Sequence, residues 1–237
     1  MKDRLLSGYR KNGVSERLPR KDAVFSVRET LLSEGSADSI FRQCLLDAKR
    51  FIDANSVSDL LHWAFGGERN RKVVRESVHD FLHVGFISPH RDLDDMAGLS
   101  EQVGFSSGFS TVTSAVVSRE LGYLEGGGNV PTSLFTAKLG SWDENTNYVE
   151  VFLPDAPAPR IREWVNDEVG THVGLILKAP SALPGIRAAF HDERFQVAPF
   201  MGEEGIRSPG KAASVIYYER PYGVGKFRVE IFCPYEG

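Results

Sequence analysis

The spacing of hydrophobic residues changes at about residue 77. From Asp22 to about Glu76, apolar residues recur at three- and four-residue steps, which predicts two or three helices. Ser36 and Asp38 are candidate N-caps, and Gly66-Gly67 is a natural helix stop. Residues 1–22 mix basic and acidic groups with few large apolar side chains, so they predict a mobile arm.

After Ser77, short runs rich in Val, Phe and Ile are typical of strands. "FLHVGFIS" predicts a strand, residues 92–103 predict a helix, and "TSLFTAKLG" and "NYVEVFLP" predict a hairpin around the polar turn "SWDENT". Between them, "STVTSAVVSREL" predicts an additional helix and "EGGGN" a loop. "DAPAPR" carries two prolines and predicts a break in the chain.

The same plan then repeats. We predict a strand at 171–177, a helix at about 181–192, and strands near 195–200, 213–219 and 226–233. "HVGFISP" is answered by "HVGLILKAP", and "YVEVFLP" by "FRVEIFCP". The prediction is an α+β fold in which two βαβββ modules, at 79–160 with an insertion and at 165–237, pair into one cleft-forming sheet assembly. A helical extension at 23–78 precedes them.

Alternation along the strands assigns candidate chemistry to these blocks. Glu150 and Glu230 are expected to point away from the helix layer, and His83 and His172 open the first strand of each module. A glycine two residues after each histidine predicts room beside the imidazole for a metal or substrate. If a pseudo-twofold relates the modules, all four side chains converge. Because burying four such groups unpaired costs several kcal/mol, the joint pattern favours a divalent metal: Zn, Ni, Co, Mn or Fe(II).

Composition and charge indicate which classes of partner the protein is expected to have. The chain is 41 % hydrophobic with a net charge of −4, and its mixed charges form no basic stripe for nucleic acid. We expect no membrane contact, because no apolar run is long enough to span a bilayer and the first residues lack a secretory signal. Two isolated cysteines, Cys44 and Cys233, indicate reduced thiols in a cytoplasmic protein. The expected partner is a small-molecule substrate, with a homodimer as an open alternative.

Paired βαβββ modules with a His on the first strand and a Glu on the last resemble the vicinal oxygen chelate superfamily. This superfamily includes glyoxalase I, certain epimerases, fosfomycin-resistance proteins and extradiol dioxygenases. The resemblance covers about residues 80–237 and rests on "LHVGFISP", "YVEVFLP", "THVGLILKAP" and "FRVEIFCP". It implies that a divalent metal is bound by four ligands: His83, Glu150, His172 and Glu230.

Retention of all four ligands resembles the glyoxalase and epimerase branch, which implies a lyase or isomerase acting on a small oxygenated metabolite. An Fe(II)-dependent dioxygenase and a metal-free protein that sequesters a small molecule remain alternatives. The implied mechanism uses Glu150 or Glu230 as general base, and the two are equivalent by sequence.

Further residues near these blocks are candidates for substrate binding. Arg228 shares a strand face with Glu230 and is expected to pair with a carboxylate or phosphate of the substrate. Three aromatic side chains are expected to line the cavity: Tyr148, Phe152 and Phe232. The N-terminal helices are expected either to cap the cleft or to mediate assembly.

Overall fold

The computed structural model describes residues 24–90, 92–106, 109–141, 145–198, 203–208, 211–222 and 225–235. The predicted mobile arm at 1–22 lies outside the described residues.

The helical N-terminal extension is confirmed. Its helices are α1 (Arg28–Leu31), α2 (Ala37–Ala54), α3 (Val57–Ala64) and α4 (Glu68–Ser77), so this part has more helices than predicted. The Ser36 side chain caps α2 by accepting from the Ser39 amide, as its position predicted. Ser56 and Asp59 form a capping box at the start of α3, and α3 ends just before Gly66-Gly67.

The two modules follow in chain order. The first comprises β1 (His83–Ile87), α5 (Leu93–Gln102), β2 (Phe109–Thr113), α6 (Ala115–Leu124), β3 (Thr132–Lys138) and β4 (Tyr148–Pro154). The connecting helix is α7 (Ala158–Asn166). The second module comprises β5 (His172–Ile176), a 3-10 turn at Pro180–Ala182, α8 (Leu183–Asp192), β6 (Gln196–Val197), β7 (Glu203–Ser208), β8 (Lys211–Tyr222) and β9 (Gly225–Tyr235).

Three elements differ from the sequence prediction. The break predicted at "DAPAPR" is confined to residues 155–157, and helix α7, which was not predicted, begins directly after it. Pro157 is the N-cap of α7 and Pro159 lies in its first turn, where proline removes no helical hydrogen bond. The residues expected to begin an additional helix belong partly to β2, and α6 begins only after Ser114, whose side chain caps it. Strand β7 was not predicted.

Within the described ranges, the strands form one nine-stranded sheet in the order β2-β3-β4-β1-β5-β9-β8-β6, with β7 also paired to β8. The antiparallel pair of β1 and β5 joins the modules at the centre. On its other side, β1 pairs in parallel with β4, the last strand of the first module, and β5 pairs in parallel with β9, the last strand of the second. Each half of the sheet therefore repeats the strand arrangement of the other, which confirms the predicted α+β fold of paired modules.

One face of this sheet carries the core. Its apolar side chains form one cluster with buried residues of α5 and α8, including Val84, Phe86, Val151, Val229, Ile231, Met96 and Ile186. The extension packs on the same side: the ring of Phe25 lies 6.3 Å from Phe86, and that of Trp63 lies 4.4 Å from Phe227. The expectation that these helices cap the cleft is therefore wrong for the described residues, because by strand alternation His83 and Arg228 face the other side. Among the described residues, no helix is long and apolar enough to cross a membrane.

Candidate metal centre

The central strand pair sets each histidine against a glycine of the other module. In the antiparallel register of β1 and β5, His83 is opposite Gly174, and Gly85 is opposite His172. A Cβ added to Gly174 would fall well inside 3.0 Å of the His83 ring, and one added to Gly85 would do the same to the His172 ring. The prediction that each glycine leaves room for a metal or substrate is wrong. The room is filled by the imidazole of the opposite module.

This crossing brings each imidazole to the carboxylates. Glu150 is opposite Gly85 in the β1–β4 register, and Glu230 is opposite Gly174 in the β5–β9 register. His83 Nε2 lies 3.6 Å from Glu230 Oε1. His172 Nε2 lies 3.3 Å from Glu230 Oε2 and 3.8 Å from Glu150 Oε2. One ligand atom from each of the four residues lies within 4.8 Å of the others, so the structure brings all four predicted ligands together.

The ring nitrogens fit a metal better than they fit the protein alone. Both nitrogens of His83 and Nε2 of His172 are buried without a hydrogen-bond partner among the described residues. His172 Nδ1 donates to the Gly170 carbonyl at 2.9 Å, so Nε2 presents its lone pair to the carboxylates. A buried polar atom left unsatisfied costs about 1–3 kcal/mol. This donor set, two imidazoles and two carboxylates, is therefore one that could hold a divalent metal ion.

The two carboxylates differ in charge state. Burial raises the pKa of Glu150 to about 7, with His83 opposing the rise and Glu230 adding to it. Burial also disfavours the ionised form of Glu230, but His83, His172 and the Tyr217 hydroxyl outweigh it and lower its pKa to about 2. One member of the pair is therefore held ionised, and the other is easily protonated.

The two histidines differ in the same way. Burial lowers the pKa of His172 to about 4, so this imidazole is neutral near neutral pH, as metal ligation requires. Burial also lowers the pKa of His83, but Glu150 and Glu230 outweigh it and raise the pKa above its ordinary value. The His83 ring is held by stacking on Tyr148, with centroids 4.6 Å apart.

The centre is open on the side of the first module. The side chains of both histidines are 0 % exposed and that of Glu230 is 6 % exposed, whereas that of Glu150 is 15 % exposed. Beside Glu150, the neighbouring strand β3 presents Leu134 and Thr136, both partly exposed. Approach to the four ligands is therefore easiest over β3 and β4.

Of the four predicted substrate-binding residues, two lie beside the histidines, one packs in an apolar cluster and one is in an ion pair. Tyr148 stacks on His83, and Phe152 is buried with its ring 5.9 Å from that of His172. Phe232 packs against a small apolar cluster formed by Val116, Ala198, Val215 and Tyr217. Arg228 is only 2 % exposed, and its terminal nitrogens contact protein carboxylates: Glu120 at 2.7 and 3.2 Å, and Glu219 at 3.4 Å.

Two residues of this region escaped the sequence prediction. Tyr217 is opposite Glu230 in the β8–β9 register, and its hydroxyl donates to Glu230 Oε2. The run "VIYYER" contains two tyrosines, and only the register shows which one faces the centre. Glu120 lies in the irregular insertion of the first module, where no repeated block marks it.

Comparison with known proteins finds weak structural similarities. No protein-family model matches the chain, and no curated protein is significantly similar to it. A mutant of 4-hydroxymandelate synthase from Streptomyces coelicolor is similar at a TM-score of 0.43 and 12 % identity, over 66 % of this chain and 48 % of that chain. The chain thus spans about half the length of that synthase.

Two methylmalonyl-CoA epimerase structures are also similar. One, a selenomethionine structure, has a TM-score of 0.39 and 13 % identity over 64 % of this chain and 92 % of its own. The other, a Streptomyces coelicolor variant in complex with 2-nitronate-propionyl-CoA, has a TM-score of 0.39 and 17 % identity over 66 % and 98 %. At these scores the likeness concerns the fold alone. The predicted pairing of two modules is seen in the sheet order of this chain itself.

Proposed function

We propose that the chain is a metal-dependent enzyme of the vicinal oxygen chelate type, an isomerase or lyase acting on a small oxygenated metabolite. One observation carries the proposal. Each histidine contributes a buried ring nitrogen that has no hydrogen-bond partner among the described residues, and these nitrogens lie in a cluster with two carboxylates, so that all four side chains meet across the pseudo-twofold. Two imidazoles and two carboxylates are ligand types that divalent metals prefer, which favours a metal centre over a metal-free site that only sequesters a small molecule.

His83, His172, Glu150 and Glu230 would hold the metal, and these ligand types accept Zn, Ni, Co, Mn or Fe(II). When bound, such an ion supplies Lewis-acid polarisation of a carbonyl or enediolate oxygen beside a C–H bond. One of the two glutamates then transfers the proton, and their different positions indicate which one.

Glu150 is the better general base. It has the most exposed side chain of the four, and it faces Thr136 and the open side. Its pKa of about 7 suits a group that takes up and returns a proton near neutral pH. Glu230 is nearly buried and bound by the Tyr217 hydroxyl, which suits a fixed ligand.

An Fe(II)-dependent dioxygenase is the second candidate. The three most buried ligands are His83, His172 and Glu230, which form a two-histidine, one-carboxylate set. Glu150, being more exposed, is the ligand most able to remain off the metal and leave a position open.

Metal reconstitution tests the proposal directly. The purified protein is stripped with a chelator, reloaded separately with each candidate ion, and assayed by elemental analysis. We expect one ion per chain, and its loss in His172→Ala and in Glu230→Ala. His62→Ala is the matched control, because His62 is an exposed histidine on α3, and this variant should bind metal as the native chain does. A native protein that takes up no ion under these conditions would overturn the proposal.

Exchange of substrate C–H for deuterium separates the candidate activities. Small 2-oxo, 2-hydroxy and thioester acids are incubated in D2O with the loaded protein and analysed by mass spectrometry. An isomerase or lyase should incorporate deuterium, and Glu150→Gln should stop the exchange while retaining metal. Oxygen uptake that depends on Fe(II), without exchange, would favour the dioxygenase instead.

A further inference from the structure

A buried ion pair joins the two modules beside the candidate metal centre. Glu120 of α6 and Arg228 of β9 have side chains only 2 % and 1 % exposed, and they pair through both carboxylate oxygens and both terminal guanidinium nitrogens. Burying two charges costs desolvation free energy that the pair's own attraction barely offsets. Such a pair contributes little to stability by itself, so its position calls for another explanation.

The pair is connected to a proposed metal ligand through Tyr217. The Arg228 guanidinium carbon lies 5.6 Å from the centre of the Tyr217 ring, and the Tyr217 hydroxyl donates to Glu230. Arg228 and Glu230 are two residues apart on β9, so their side chains share the face that carries the centre. Glu120, Arg228, Tyr217 and Glu230 thus form a continuous set of contacts.

Helix α6 is itself held firmly in place. The Ser118 hydroxyl accepts from the Thr132 amide at 3.1 Å, and the Ser118 carbonyl accepts from the Val130 amide at 3.0 Å, which ties α6 to the start of β3. Val116 of the same helix packs with Val215 and Tyr217 of β8. A helix anchored in the first module therefore covers the second-module side of the centre.

We propose that Glu120 and Arg228 are positioning residues of the metal centre. Glu120, from α6, holds Arg228 of β9 against Tyr217, whose hydroxyl donates to Glu230. The pair thereby keeps this proposed ligand in the geometry that metal binding needs, and it closes the second-module side. Substrate approach is then confined to the side of Glu150, Thr136 and Leu134. This inference rests on the proposed function and deepens it.

The test compares two variants with a control on the same helix. Glu120→Gln removes one charge of the pair, and the double variant Glu120→Gln with Arg228→Met removes both, so that no lone charge stays buried. Glu125→Gln is the control, because Glu125 pairs with Arg160 at the exposed end of α6. Apoproteins are titrated with Co(II), and the dissociation constant, the Co(II) absorption spectrum and the melting temperature are recorded.

We expect both the single and the double variant of the ion pair to bind Co(II) about 10- to 100-fold more weakly than native protein, the range typical for losing a residue that orients a metal ligand. Their absorption bands should shift, whereas Glu125→Gln should match the native protein. If the double variant folds and binds Co(II) with native affinity and spectrum, the pair is only structural and the inference is overturned. A native protein that binds no Co(II) would overturn both this inference and the proposed function, so the two failures are distinguishable.

Discussion

Glu150 and Glu230 occupy matching places in the two modules, yet they differ in chemistry. Each lies on the last strand of its module, opposite the glycine over which an imidazole sits. On the next strand, Glu150 is opposite Thr136 and Glu230 is opposite Tyr217. A pKa of about 7 for the first and about 2 for the second accompanies this difference. The repeated backbone therefore places the four candidate ligands alike, whereas the contacts of Glu230 with both histidines, and to a lesser extent with the Tyr217 hydroxyl, give the two carboxylates different charge states.

Gly85 and Gly174 test the feature that the two modules share, a glycine under the imidazole of the other module. Substitutions there should give the largest effect. Gly174→Ala would place a methyl group in the His83 ring, and Gly85→Ala would do the same to His172 at a slightly longer distance. Because the obstacle is a ring packed between strands, we expect each substitution to lower the free energy of unfolding by roughly 1–3 kcal/mol. We also expect loss of stoichiometric metal, with Gly174→Ala the worse. Urea unfolding and elemental analysis measure the two effects.

Gly98→Ala provides the matched control. Gly98 lies inside α5 with nothing within 4 Å of an added Cβ, so alanine should stabilise the helix by about 0.5–1 kcal/mol and leave metal binding unchanged. Native stability and metal content in Gly174→Ala would show that the His83 ring does not lie over this glycine.

The feature in which the modules differ is the residue opposite each glutamate on the next strand, and substitutions there test its importance. Tyr217→Phe removes the hydroxyl that donates to Glu230, whereas Thr136→Val removes a hydroxyl beside Glu150 at the open side. We expect Tyr217→Phe to weaken metal binding about 10-fold, the lower end for loss of a ligand's hydrogen-bond partner. Thr136→Val should change metal affinity by less than about twofold and act instead on substrate turnover. Titration calorimetry with Zn or Co(II) ranks the two, and the reverse ranking would contradict the assignment of Glu230 as the fixed ligand.

The sequence predicts the four candidate ligands because its strongest signal is a repeat combined with strand alternation. Knowing that His83 and Glu150 recur as His172 and Glu230 is enough to place them on one face. The crossing of the imidazoles is not predictable in this way, because it depends on the antiparallel register between β1 and β5, which joins segments far apart in the chain. Helix α7 was missed at "DAPAPR" for a local reason, since proline disfavours a helix interior but is accepted in the first turn.

The residues that tune the centre are harder still to predict. Glu120 and Arg228 are 108 positions apart, and their pairing depends on a helix that lies in the unrepeated part of the first module. Tyr217 and Tyr218 are adjacent and chemically identical, but Tyr217 faces the centre while Tyr218 stacks on Phe190 in the core. Such choices are made by packing between distant segments, which a single sequence does not display.

The smallest expected effect concerns how the helical extension holds each module. Phe25 packs an aromatic ring against Phe86 of the first module, whereas Glu193 of the second accepts hydrogen bonds from the Gly66 and Gly67 amides and from Asn70. Burial raises the pKa of Glu193, but Asn70 and the two amides outweigh it and hold the pKa below its ordinary value of 4.5. The stability from this depressed pKa is present above 4.5 and is lost as pH falls through the folded-state pKa.

Glu193→Gln should therefore lower the free energy of unfolding by about 1 kcal/mol at neutral pH, a value reduced for partial exposure. The gap from native protein should close in acid, because native Glu193 is then protonated as well. Urea unfolding across this pH range measures the gap, with Glu76→Gln as control, since the Glu76 carboxylate pairs with Lys72 on the exposed surface. A gap that stays constant in acid would mean that the charge of Glu193 does not strengthen these hydrogen bonds.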